Sequence, residues 1–364
     1  MISRQSTSQT VVLLSGDGGV VDLVNGLVRA DLDAVDTRLT VGLLPLGTGN
    51  ALFHSLHRQQ YMKEKGEVSP LVLGLRTLFR GKAAPLPTFK AEFSKGARLV
   101  ERGEHVLLGR EGVKEIDSLV GAIVASYGFH ASLVWESDTP EYRVHGDKRF
   151  GMAAEQLLKE SHAYNATVEI LHKTGGGRED TKDGVMIKLD GDRFNYVLTT
   201  MVSNLEKTFT ISPASKPLDG QLRLVHFGDV GGKKTMDIMM AAYNDGAHVG
   251  MRWPSGASTT IAAAEEEVTG RVNGHAKEQQ QEQGQQQQQQ QQQEEESEEE
   301  TQGVGYDEAD LVRVTVHESD PRWRKFCIDG TIVEVPQGGS MTVRRTRVDT
   351  LLKVLVDPTV LDTK

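Results

Sequence analysis

The sequence predicts an α/β domain followed by an antiparallel β domain, and three observations carry that reading. The chain has 364 residues, more than one hydrophobic core usually serves, because single cores stop growing near roughly 250 residues. Two early apolar runs each break into a glycine loop and then into a helix-spaced apolar pattern. Beyond residue 82 the texture changes to short segments of alternating polarity. The fold class is therefore α/β plus β. Residues 1–82, joined by 349–364, form the first domain and residues 83–348 the second.

The first apolar run, 11–14, ends in Ser15-Gly16-Asp17-Gly18-Gly19 and reads as a buried strand breaking into a glycine loop. From 20 to 29 the residues Val20, Val21, Leu23, Val24, Leu27 and Val28 recur at helical spacing. The pattern repeats with a strand at 41–44, a second loop Pro45-Leu46-Gly47-Thr48-Gly49-Asn50, and a helix that begins over 51–58. Apolar strands alternating with helices predict a parallel sheet whose ligands sit beyond the carboxyl ends of the strands.

In the second domain, alternation predicts strands at 89–93, 120–126, 185–189, 196–202, 222–227 and 311–316, interrupted by one helix over 148–161. The apolar stretch 349–356 returns to pack on the first domain. Between them, nine glutamines at 285–293 run into a glutamate-rich tract at 294–300. Such a tract buries too little apolar surface to offset its ordering entropy, so 278–302 is expected to be a disordered insert.

The net charge of −10 is concentrated in that insert, which carries 8 Glu and no Lys or Arg; without it the chain stands at −2. A broad basic field for nucleic acid is thereby excluded. The single cysteine, Cys327, forms no internal disulfide and there is no zinc-ligand spacing, which suits a reducing, cytoplasmic setting. The central apolar stretch 119–125 is far short of the ~20 residues that cross a bilayer. Contact with a membrane surface stays open, and nothing in the sequence sets the oligomeric state.

The chemistry lies in the two loops. Glycines admit a phosphate close to the backbone, the following helix aims free N–H groups and a positive dipole end at it, and Asp17 is placed to orient a metal or take a proton. One such loop is commonly a tight turn. Two of them, about thirty residues apart and each following an apolar strand, point to a phosphate-binding edge.

The run Ser15-Gly16-Asp17-Gly18-Gly19-Val20-Val21-Asp22-Leu23-Val24-Asn25-Gly26-Leu27, followed by Pro45-Leu46-Gly47-Thr48-Gly49-Asn50-Ala51-Leu52, resembles the catalytic domain of the diacylglycerol kinase and sphingosine kinase superfamily. The ending Gly49-Asn50-Ala51-Leu52 leans toward the sphingosine and ceramide kinases. Further matches follow in order at Tyr127-Gly128-Phe129-His130-Ala131, Glu141-Tyr142-Arg143, Gly146-Asp147-Lys148-Arg149-Phe150, Ser203-Asn204-Leu205, Asp219-Gly220-Gln221-Leu222 and Ile328-Asp329-Gly330.

The resemblance implies a partial Rossmann-like, phosphofructokinase-like ATP-binding domain with a C-terminal antiparallel β-sandwich that takes a lipid. It also implies transfer of the γ-phosphoryl group of ATP, with Mg²⁺, to the hydroxyl of a sphingoid long-chain base or ceramide at a peripheral membrane surface. Diacylglycerol is the alternative substrate. Ser15, Gly16, Gly18, Gly19, Gly47, Thr48, Gly49 and Asn50 would line the nucleotide phosphates, with Asp17 as base or metal organiser. Asp22 stands where the family has a glutamate, one methylene longer. Arg143 and Arg149 match arginines that neutralise ATP phosphates, a task suited to a forked guanidinium. Asp329 would serve nucleotide and Mg²⁺. Asp219 matches a structural Mg²⁺ loop, although a plain Asp-Gly turn explains it equally.

Three departures qualify the resemblance. Sphingosine kinases carry two aspartates after Gly-Phe-x-Ala, the second pairing with the sphingoid amine; here the candidate substrate positions hold Ser132 and Val134, with Glu136 and Asp138 the nearest carboxylates in sequence. The family's Asp-Gly-Glu reads Asp329-Gly330-Thr331, and Glu334 would face the opposite side of a strand. The family also has two further strand-helix units before the first loop, where this chain has ten residues. An incomplete gene model or fragment is the expectation there, with a non-catalytic pseudo-kinase as the competing view. His54, His57 and His130 read as satisfied core or surface histidines, and Trp135 and Cys327 as core.

Overall fold

β1 (Gln9–Ser15) and β2 (Leu39–Pro45) lie parallel, in register from Gln9 opposite Leu39 to Ser15 opposite Pro45. They come from a computed structural model that describes residues 8–30, 39–64, 68–100, 114–146, 148–171, 185–254, 301–346 and 352–362. The C-terminal strand Lys353–Val356 pairs parallel to the other edge of β2, and β3 (Lys82–Pro85) closes the sheet antiparallel to it. Three strands are thus parallel, as the alternation of strand and helix predicts. β3 straddles the expected boundary at residue 82, so this sheet reaches past it. β2 is buried from Leu39 to Gly42, whereas β1, the edge, alternates half-buried and exposed positions.

α1 (Asp17–Arg29) begins three residues before the predicted start, with Asp17 in its first turn and Arg29 in its last. Both charges complement the helix dipole. α2 (Ala51–Lys63) begins where predicted. α3 (Pro70–Arg80) was not expected, although Ser69 and Pro70 at its start and Gly81 after its end are ordinary helix punctuation.

The larger sheet is antiparallel at every pairing. Its main path runs Arg98–Leu99, Thr331–Glu334, Lys325–Ile328, Val124–Gly128, Arg193–Thr200, Tyr164–Leu171, Leu311–Val316, Ser340–Arg345, Phe89–Phe93 and Ser118–Gly121. Predicted strands at 89–93, 196–202, 222–227 and 311–316 are found within a few residues, and 185–189 shortens to Met186–Lys188. The predicted strand 120–126 is instead two strands, Ser118–Gly121 and Val124–Gly128, joined through Ala122 and Ile123. One lies at the end of the path and the other fourth from its opposite end, so a two-residue connection can join them only if the sheet curls back on itself.

The helix Lys148–Glu160 matches expectation. Unforeseen is Gly231–Ala242, whose opening Gly231-Gly232 argues against a helix on propensity alone. Packing overrides it: a Cβ on Gly232 would fall 2.8 Å from the carbonyl carbon of Leu158, so only glycine lets the two helices approach.

Met1–Gly250 with Val304–Lys364 form one compact unit holding both sheets, and Met251–Gly303 form a second. The second contains a strand pair, Arg252–Pro254 with Thr301–Gly303. The predicted disordered insert 278–302 lies outside the described residues except at Thr301 and Gln302. These two pair as strand, which corrects its end. No helix among the described residues is long and apolar enough to cross a membrane.

Candidate functional site

The two glycine loops lie backbone against backbone. The Leu46 N–H donates to the Ser15 carbonyl at 3.4 Å. A Cβ on Gly16 would stand 3.0 Å from Gly47 Cα, and one on Gly47 would stand 2.7 Å from Gly16 N. Neither position has room for a side chain. Asn50 closes the second loop from the left-handed region (φ 54, ψ 43), which asparagine tolerates. Its Oδ1 accepts the Gly47 N–H at 3.1 Å and its Nδ2 donates to the Gly47 carbonyl at 2.6 Å. Gly18 and Thr48 are exposed at the rim, while Ser15 donates back to the Gly16 carbonyl at 3.1 Å and fills the space beside Gly19.

Asp17, the first residue of α1, accepts the N–H groups of Ala51 at 2.7 Å and Leu52 at 3.1 Å. These are two of the N–H groups that a helix start leaves without intrahelical partners. One carboxylate therefore ties the start of α1 to the start of α2. Burial pushes the Asp17 carboxyl above its usual range, against the pull of the two N–H donors. Where a Cβ on Gly49 would stand, Asp17 Oδ2 is 3.8 Å away and the Leu205 carbonyl oxygen 3.6 Å.

Asp329 sits at a two-residue hairpin turn between Lys325–Ile328 and Thr331–Glu334. Its φ of 47 and the φ of 93 at Gly330 are the paired positive values of a type I′ turn, for which Asp-Gly is a preferred sequence. The carboxylate accepts N–H groups from Ala122 (2.6 Å), Ile123 (3.1 Å) and Val124 (2.6 Å). This is why the predicted 120–126 strand breaks: these amides turn to a side chain. Burial pushes the Asp329 carboxyl up to about 7, the charge of Asp17 adds to the rise, and the three N–H groups oppose it. The two aspartates are thus within electrostatic reach of each other.

Thr331 supplies no carboxylate, and the nearly buried Glu334 is paired with Arg98 at 2.6 Å and Lys325 at 3.7 Å. No group of three His, Cys, Asp or Glu side chains suited to a metal occurs among the described residues. Mg²⁺ in phosphoryl-transfer sites is commonly held by one or two carboxylates plus substrate phosphates. Asp17, each of whose oxygens accepts one N–H, has lone pairs left for that smaller requirement, whereas both Asp329 oxygens are already met by N–H groups, that of Ile123 reaching both at 3.1 and 3.3 Å. The glycine cradle and the α2 start fit a phosphate.

Two further contacts tie α1 to the large sheet and α2 to the segment that follows its strand Arg193–Thr200. Asn25 pairs with both backbone groups of Val120, and Ser55 exchanges hydrogen bonds with Asn204, accepting its N–H at 3.0 Å and donating to its carbonyl at 3.1 Å. Sequence reasoning assigned neither a role. The available signal was a polar residue on the apolar stripe of a helix, since a buried amide demands a partner.

The remaining predicted residues are more dispersed. Asp22 faces solvent on α1. Arg143 and Arg149 both hold Asp138, Arg143 through two bonds at 2.9 and 2.8 Å and Arg149 at 3.2 Å. Ser132, Val134 and Glu136 fall on the helix Phe129–Glu136, which sets Ser132 and Glu136 one turn apart on the side of Tyr164 and turns Val134 away from them. Ser132 is buried beside the Tyr164 hydroxyl, Val134 packs against Ala131, Cys327 and Ile332, and Glu136 accepts from Arg322 Nε at 3.2 Å. Asp219 caps its own turn, accepting from the Lys216 and Gln221 N–H groups and from Arg223. Asp147 lies outside the described residues. His57 bonds the Phe53 carbonyl and Thr77 Oγ1, His54 bonds the Tyr61 hydroxyl, and His130 bonds Ser126 Oγ, as satisfied histidines should.

Residues 2–78 match the family model described as the diacylglycerol kinase catalytic domain. A mitochondrial acylglycerol kinase of Xenopus laevis is 26% identical over 86 residues, which take in 24% of this chain and 19% of that relative. Among solved structures, a proposed diacylglycerol kinase from Bacillus anthracis overlaps 96% of this chain and 79% of its own at 13% identity and a TM-score of 0.48. A second diacylglycerol kinase structure from the same organism overlaps 96% and 77% at 13% identity and a TM-score of 0.43. Overlaps this loose do not by themselves establish a shared fold.

Proposed function

We propose, on the premise that residues 2–78 belong to the diacylglycerol kinase catalytic domain superfamily, that this chain is an ATP-dependent lipid kinase. The observation that carries the reading is the bridge from Asp17 to the N–H groups of Ala51 and Leu52, which sets a carboxylate between the two glycine loops. The loops receive the nucleotide phosphates. Asp17, with Asp329 nearby, would hold Mg²⁺ together with phosphate oxygens, and the ion would supply charge neutralisation for phosphoryl transfer. Asp17, its carboxyl raised by burial, takes the proton of the lipid hydroxyl at a carboxylate oxygen. The antiparallel domain, in this reading a lipid-binding β-sandwich, presents that hydroxyl at a membrane surface on the cytoplasmic side.

The substrate class follows from the carboxylates near the missing aspartates. Asp138 is committed to Arg143 and Arg149, and Glu136 to Arg322. That arrangement favours a lipid without a free amine, such as ceramide or an acylglycerol, over a sphingoid base. Transfer of radiolabelled γ-phosphate to ceramide, long-chain base and diacylglycerol tests both points. Transfer should be lost in Asp17→Asn, and unchanged transfer in that variant would overturn the assignment of Asp17.

A second reading rests on Thr331, which leaves the site without a third carboxylate. In it the protein binds nucleotide or lipid without turnover. Saturable nucleotide binding with no transfer to any of the three lipids would decide for it.

A further inference from the structure

α3 carries apolar residues on its outer as well as its inner face. Leu73, Gly74 and Thr77 face inward, where Gly74 rides over Leu44 and Pro45 of β2. The opposite side presents Leu71, Val72, Leu75 and Phe79 to solvent, with Phe79 82% exposed. At 100° per residue these four fall on one stripe, and Arg76 and Arg80 fall along one flank of it. A surface helix normally turns a polar face outward. No aspartate or glutamate occurs from residue 68 to residue 91, while Arg76, Arg80, Lys82 and Lys90 do.

We infer that the outer face of α3 docks on an anionic lipid bilayer, with Phe79 and Leu75 entering the headgroup boundary and Arg76, Arg80 and Lys82 meeting acidic headgroups. An exposed apolar stripe flanked by cations is the pattern of helices that lie in the membrane interface. The charges argue for lipid over a second copy of the chain, because a two-fold contact through this face would set one basic flank against another. Arg76 holds Glu64 at 2.7 Å, an ion pair with both side chains more than a third exposed, so acidic headgroups can compete for it. The inference rests on the lipid-kinase reading for its purpose and on the geometry of α3 for its existence.

Co-sedimentation of the full chain with phosphatidylcholine vesicles, with and without phosphatidylserine, tests it. Binding should require phosphatidylserine and weaken with added salt. Phe79→Glu should lower the vesicle partition coefficient about tenfold or more, and Phe79→Ala by a smaller factor, with unchanged melting curves. Arg80→Glu should remove mainly the phosphatidylserine-dependent part. Wild-type protein that ignores both vesicles, or Phe79→Glu protein that binds as wild type does, overturns the inference. So does a Phe79-dependent oligomer in the absence of vesicle binding, which would make the face a contact between copies. Phosphorylation of a short-chain lipid dissolved as monomer separates this inference from the kinase reading. Phe79→Glu should leave that transfer intact. Wild-type protein that binds vesicles through Phe79 yet transfers no phosphate would uphold the docking face and overturn the kinase.

Discussion

Asn25 reads both backbone groups of Val120: its Nδ2 donates to the Val120 carbonyl at 2.8 Å and its Oδ1 accepts the Val120 N–H at 3.0 Å. Ser118–Gly121 is the last strand of its sheet path, and on this side its backbone finds a helix side chain in place of another strand. An exposed strand edge invites pairing with other chains, and covering it with a helix is one of the ways proteins prevent that. The same contact fixes α1, and with it Asp17, against the sheet whose hairpin carries Asp329.

Asn25→Leu should therefore destabilise the protein by about 2–4 kcal/mol, since a buried N–H and a buried C=O both lose their partner. Asn25→Asp keeps an acceptor and loses the donor, and should fall between. Urea unfolding monitored by circular dichroism measures both. A loss below about 0.5 kcal/mol in Asn25→Leu would mean that Val120 finds other partners on unfolding of the clamp.

Gly47→Ala should disturb the two glycine loops more than its one methyl suggests. The added Cβ would meet Gly16 N at 2.7 Å, backbone that cannot swing away as a side chain can. A cost of about 1–3 kcal/mol is expected from such overpacking, together with a marked loss of nucleotide affinity in a binding titration. Gly18→Ala is the matched control for stability, because nothing lies within 4 Å of a Cβ there. Equal effects of the two substitutions would show that the close approach of the loops is unimportant.

How far the sequence disclosed this arrangement depends on range. Strand-loop-helix order, the two glycine loops and Leu311–Val316 were legible because apolar period and glycine placement are local signals. The break at Ala122 and Ile123 was not, because its cause is the carboxylate of Asp329, some two hundred residues away in sequence. The start of Gly231–Ala242 was hidden for the same reason: Gly232 answers to the backbone of Leu158, not to helix propensity. At the site, Asp17 and Asn50 were identified as candidates, but their partners were not. The pairing of Arg143 and Arg149 with Asp138 is likewise a product of the fold.

Asp329→Ala should cost more than Asp329→Asn. The carboxylate collects three N–H groups at the corner that joins two distant strands, and alanine leaves all three buried without an acceptor. A difference of about 1–2 kcal/mol between the variants is expected, because asparagine retains one carbonyl oxygen. Denaturant midpoints measured at pH 7 give the comparison. Equal losses would indicate that the ionised carboxylate, and not hydrogen bonding alone, holds the corner.

Acid should destabilise the fold in a defined window. Burial holds His54, His57, His130 and His248 down to about 4, against 6.5 in the unfolded chain. Between those values the unfolded chain binds more protons, so stability contributed by these neutral histidines is complete above pH 6.5 and declines as pH falls toward 4. Each group gives a slope of at most about 1.4 kcal/mol per pH unit. Asp329 acts in the opposite sense: with its carboxyl raised from 3.8 to about 7, the folded state binds the extra proton in the same window and gains as pH falls. Asp17, whose carboxyl burial also raises, acts in the same sense as Asp329; four histidines outweigh two aspartates, so urea midpoints should drop from pH 7 to pH 5. His57→Gln should flatten that decline, since His57 is buried with both ring nitrogens already bonded, to the Phe53 carbonyl and Thr77 Oγ1. A wild-type midpoint independent of pH over this range, or a slope unaltered in His57→Gln, would show that these imidazoles accept protons in the folded protein without penalty.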